Sequence, residues 1–136
     1  MTPAEAYEVI KNSIIKVKEY GFELKITGQY FIIDREQNIK YCCPLGAYYI
    51  VNCAKNIDDY DYNSTEAINS EIQFKLKLSD PFYRVAFVRG FDKSSSLQFL
   101  NDEIVEKGLS HDKETIEEWK NLGIRFREEF NVQRLW

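Results

Sequence analysis

The sequence predicts an α+β fold: a mostly helical single domain with a small antiparallel β-hairpin, or a three-stranded sheet, packed on a central buried helix. Three observations carry this. Thr2-Pro3-Ala4-Glu5 opens a run with helical periodicity, residues 22–42 alternate apolar and polar around a polar break, and Cys43–Ala54 is apolar almost all round.

The first helix is expected over residues 3–20. Thr2 can cap it, Pro3 stands where a missing N–H is harmless, and Glu5 completes a capping box. Ala6, Ile10, Ile14 and Val17 form its inward stripe, and Gly21 is a natural stop. A hairpin follows, pairing Gln29–Ile33 with Asn38–Cys42 across the polar turn Asp34–Asn38, with residues 22–27 as a third strand. A two-stranded hairpin is marginal alone, so it must lie against helices.

A second helix is read over Pro44–Ala54, with Cys43 near its cap and Pro44 in its first turn. Because it lacks a polar face, it belongs at the centre of the domain. Residues 55–63 read as an acidic loop, and Ser64-Thr65-Glu66 opens a third helix with Ile68, Ile72 and Leu76 inward. Phe74, Leu76 and Leu78 also alternate as a strand would, so that helix's end is ambiguous. Ser79-Asp80-Pro81 launches a helix to about residue 91, its apolar positions being Phe82, Val85, Ala86, Val88 and Phe91. Residues 92–96 form a linker, and a short helix ends at Gly108. Ser110 caps the last helix, residues 111–130, in which Ile116, Trp119, Gly123, Phe126 and Phe130 make a seam for another helix. Ile124 falls on the far side, where a solvent-facing place or a contact with the tail or a second subunit would each account for it.

The 136 residues fit one domain, 1–136. With 44% hydrophobic and 29% charged residues the chain is globular in composition, which excludes collagen-like, disordered and membrane classes. The net charge of -4 argues against general binding to nucleic acid or anionic membranes. The longest run without a charge, Tyr41–Ala54, is broken by Pro44 and Gly46 and is shorter than the roughly 20 residues that span a bilayer. Three cysteines, two of them adjacent, fit reduced thiols better than a disulfide framework, and no signal stretch opens the chain, so a cytoplasmic protein is expected.

No cofactor is expected. His111 is the sole histidine, so a two-histidine metal site cannot be built within one chain. Neither a Gly-rich phosphate loop nor a G-x-S-x-G elbow occurs. Asp59–Ser64 opens like a calcium loop, yet Ser64 stands in the glycine position and Ser70 in the glutamate position. Cys43 at a helix start could be activated as thiolate and paired with His111, the basis of a cysteine-enzyme alternative; burial as a small hydrophobe is the commoner use of such a residue.

Five of the six arginines, Arg84, Arg89, Arg125, Arg127 and Arg134, lie in the last 53 residues among Phe82, Tyr83, Phe87, Phe91, Phe126, Phe130 and Trp136. Guanidinium forks clamp phosphates and rings stack on bases, so Arg84, Arg89, Arg125 and Arg127, with Cys43 and Gly46 at a helix N-terminus, form the candidate ligand site. Against this, Arg125 can pair with Glu129 on its own helix, Arg127 can cover the seam, and Arg84 and Arg89 lie about 140° apart on a helix wheel.

Residues 30–51, with Tyr41-Cys42-Cys43-Pro44-Leu45-Gly46-Ala47 after the polar turn, resemble an uncharacterised bacterial and phage domain family that carries a Cys-Ala-Leu-Gly-Ala-Leu segment. Pro44 and Tyr48 stand where that family commonly has Ala and Leu. Phe87–Asp92 and Leu122–Arg127 are similar to later blocks of such proteins. The resemblance implies a phage or mobile-element origin and no activity.

The sequence names no function by itself. The preferred expectation is a small non-catalytic protein that sequesters an anionic, nucleotide-like molecule through its arginines and rings. The alternatives are a protein-interaction module or inhibitor whose acidic stretches (58–61 and 102–118) block a basic partner, and a cysteine enzyme. Homo-oligomers are compatible with each.

Overall fold

The computed structural model describes residues 1–54, 65–92 and 113–134. The element order is α1 (Pro3–Glu19), β1 (Glu23–Ile26), β2 (Phe31–Asp34), β3 (Ile39–Cys42), α2 (Pro44–Asn52), α3 (Thr65–Lys75), α4 (Pro81–Asp92), α5 (Lys113–Glu129) and β4 (Gln133–Arg134). This is the α+β, mostly helical class that the sequence predicts. The acidic loop at 55–63, the helix ending at Gly108, Ser110 and His111 lie outside the described residues, as do Asp59–Ser64 and Trp136. The chain divides into two compact units, Met1–Ser79 with Val132–Trp136, and Asp80–Asn131.

In the first unit, α1 starts with the reciprocal cap read from the sequence. Thr2 Oγ1 accepts from the Glu5 N–H, and Glu5 Oε1 accepts from the Thr2 N–H. The helix closes in a Schellman turn: Gly21 takes φ 89° and the Phe22 N–H reaches back to the Val17 carbonyl. Helix α3 ends in the same way, with Lys77 at φ 52° and the Leu78 N–H on the Gln73 carbonyl. That turn settles the ambiguous stretch 74–78. It belongs to a helix end that buries Leu76 and Leu78 and leaves Phe74 77% exposed.

The hairpin forms as expected, β2 antiparallel to β3 from Phe31↔Cys42 to Asp34↔Ile39. Its turn is held by Asp34 Oδ1, which accepts from the Gln37 N–H, and by Asn38 at φ 55°. The rest of the sheet corrects the antiparallel expectation. Strand β1 pairs parallel with β3 and also parallel with the short β4, giving the order β2-β3-β1-β4. The cause is topological. A parallel pair needs a connection of about a dozen residues, and here β2 with its flanking turns supplies it, carrying the chain to the sheet edge so that β3 returns beside β1. Alternation along a strand sets which face is buried, but not which neighbour it takes or in which direction. Strand β4 has no counterpart in the sequence reading.

Helix α2 is as apolar in place as in sequence: Pro44 to Ile50 are all buried. It packs on α1, α3 and β3. The inward faces of those neighbours are Ala6, Ile10, Ile14 and Val17 from α1, and Ile68 and Ile72 from α3. A partly buried polar contact joins two of the helices: Asn52 Nδ2 donates to Ser13 Oγ, which donates to the Val9 carbonyl. Phe31 and Tyr49 stack, with ring centres 6.3 Å apart.

The second unit is built on α4 and α5. Asp80 occupies the N-cap of α4, its Oδ1 accepting from the Phe82 N–H at 2.9 Å. Helix α5 buries Ile116, Trp119, Leu122, Gly123 and Phe126, the expected seam with Leu122 added, while Phe130 and Ile124 are half-buried. On α4 the buried residues are Ala86, Phe87, Gly90 and Phe91. Phe82, Val85 and Val88, the other apolar positions read from the sequence, are half-buried. The choice of face has a steric origin. A Cβ on Gly90 would sit 2.1 Å from the Lys120 carbonyl oxygen, and one on Gly123 would sit 2.1 Å from the Phe87 carbonyl oxygen. The two backbones touch at these glycines, which turns Gly90 toward α5 and brings Phe87 and Phe91 inward with it.

Candidate functional site

Of the six predicted ligand residues, Cys43 and Gly46 belong to the first unit and Arg84, Arg89, Arg125 and Arg127 to the second. In the first, Cys43 is the N-cap of α2. Its Sγ accepts from the Gly46 N–H at 3.4 Å, and its own N–H donates to the Tyr30 carbonyl at 3.0 Å. A Cβ on Gly46 would lie 1.9 Å from that same Tyr30 oxygen. The first turn of α2 is therefore packed against the backbone that enters the hairpin, and Gly46 is the residue that lets the two meet.

The other thiols are held in the protonated form. Burial pushes the Cys42 thiol well above its ordinary range. Burial and, secondarily, the nearby Glu71 push Cys53 up to about 11. Both shifts run opposite to the lowering that activates a nucleophilic cysteine. His111 lies outside the described residues, so no Cys43–His111 geometry is on view. Among the described residues no three His, Cys, Asp or Glu side chains come together as metal ligands. Nor is any described helix long and apolar enough to cross a membrane.

In the second unit the arginines divide by task. Arg127 reaches from α5 to α4, its Nη1 donating to the Gly90 carbonyl at 2.8 Å. This cation sits in the last turn of α4, where the backbone carbonyls present partial negative charge. Arg125 is 57% exposed and pairs with Glu129 at 3.4 Å, the i,i+4 geometry foreseen from the sequence. Arg84 and Arg89 are half-buried on α4, with the Nε of each shielded from solvent. Five residues apart, they flank the Ala86–Phe87–Gly90 stripe from opposite sides of the helix.

The rings are spent differently from the sequence expectation. Phe87, Phe91 and Phe126 are at most 1% exposed and fill the interior. Phe87 and Phe126 meet at 5.8 Å in a tilted pair, and Tyr83 stacks on Trp119 at 6.2 Å. The interior rings Phe87, Phe91 and Phe126 offer no face to a base, while Phe82, Tyr83 and Phe130 are half-buried. The missed signal was Gly90, a glycine inside a helical pattern, which commonly marks a close backbone approach.

The outward side of α5 carries a different chemistry. Glu114, Glu117, Glu118, Glu128 and Glu129 are exposed, against the exposed cations Lys113 and Arg125. Lys120, mostly covered, meets Glu117 at 3.3 Å. The described part of the second acidic stretch contributes Glu114, Glu117 and Glu118 to this negatively charged helix face.

No protein-family model, curated protein or solved structure matches this chain.

Proposed function

We propose that this chain is a non-catalytic binding protein that engages a basic partner protein through the acidic outer face of α5. One contrast carries the reading. Three of the rings that an arginine–aromatic ligand site would use, Phe87, Phe91 and Phe126, are enclosed in the core, whereas Glu114, Glu117, Glu118 and Glu128 stand at the surface. A face of one sign steers an oppositely charged partner and suppresses wrong ones. The test is charge reversal. Glu114→Lys, Glu117→Lys and Glu118→Lys combined should abolish salt-sensitive capture of a basic protein, read by pull-down at two ionic strengths, and leave the unfolding midpoint nearly unchanged. Capture that survives both the reversal and high salt would overturn the reading.

A second reading is supported by Arg84 and Arg89, whose guanidinium groups are half-enclosed on α4: the chain sequesters an anionic, nucleotide-like small molecule. Thermal unfolding with a panel of nucleotides should then show a raised midpoint for some member, and Arg89→Ala should remove the rise. A flat response across the panel would dismiss it.

A further inference from the structure

We draw no further inference here: the strongest candidate, the outer edge of β2 in the four-stranded sheet, where Phe31, Ile32 and Ile33 are half-buried, carries nothing because nothing in the structure shows what covers it.

Discussion

Helix α2 and the α4–α5 pair solve the same packing problem with opposite sequence patterns. Helix α2 buries seven consecutive residues, Pro44 to Ile50, and is enclosed by two helices and a strand. Helices α4 and α5 each bury a single stripe, and α5 keeps an exposed polar side. Both arrangements depend on glycine where backbones touch, Gly46 against Tyr30 in one and Gly90 and Gly123 across the helix crossing in the other. What separates them is freedom to adjust. Tyr30 is fixed by its hydrogen bond from Cys43 at the entry to a hairpin, whereas among the described residues no backbone hydrogen bond joins the two packed helices at the crossing glycines.

The largest expected effect tests that difference directly. Gly46→Ala should destabilise by about 3 kcal/mol, the upper end of ordinary overpacking, and Gly123→Ala by about 2 kcal/mol, both read from urea midpoints. The reverse order would show that the helix crossing, and not the strand-to-helix junction, is the less yielding of the two.

A smaller effect compares the caps. Asp80 is 6% exposed and launches α4, while Thr2 launches α1 in the open. Asp80→Ala should cost about 1–2 kcal/mol and Thr2→Ala about 1 kcal/mol, with Asp80→Asn recovering most of the loss in equilibrium unfolding. Equal costs would mean that burial adds nothing to the cap.

The smallest effect is pH-dependent. The hydrogen bond from the Thr2 side chain, followed by that from the Thr2 backbone, holds the Glu5 carboxyl below its ordinary 4.5. A carboxylate whose pKa is lowered on folding stabilises above its unfolded value and loses that contribution as pH falls through the folded one. Unfolding midpoints should therefore drop slightly on acidification below pH 4.5, and Glu5→Gln should shrink that component of the drop. A pH profile that Glu5→Gln leaves unchanged would assign the acid loss to other carboxylates.

Much of this architecture was legible in residue order, and the failures have identifiable causes. Thr2-Pro3-Ala4-Glu5 marks the start of α1 because its signals are local, made within four residues. The hairpin is legible because Asp34 and Asn38 build its turn themselves. The parallel pairing of β1 was not, since neither strand direction nor choice of neighbour is written in alternation. On α4 the hydropathy of Val85 and Val88 pointed to one face, while a residue with no side chain decided for another. The candidate site was the least legible part. Ring and cation types can be counted in a sequence, yet whether Phe87 meets a ligand or packs against Phe126 depends on a helix rotation that composition does not contain.

The outermost strand has a consequence for how the chain is made. Lys25 of β1 takes Gln133 as its partner, 108 positions later, and Ile26 takes Arg134. At ribosomal speeds of roughly 5–20 residues per second, that side of β1 waits on the order of 5–20 seconds for the backbone that will cover it. All of residues 80–131 are synthesised in the interval. A nascent polypeptide thus carries an unfinished sheet margin for as long as those intervening residues take to be made.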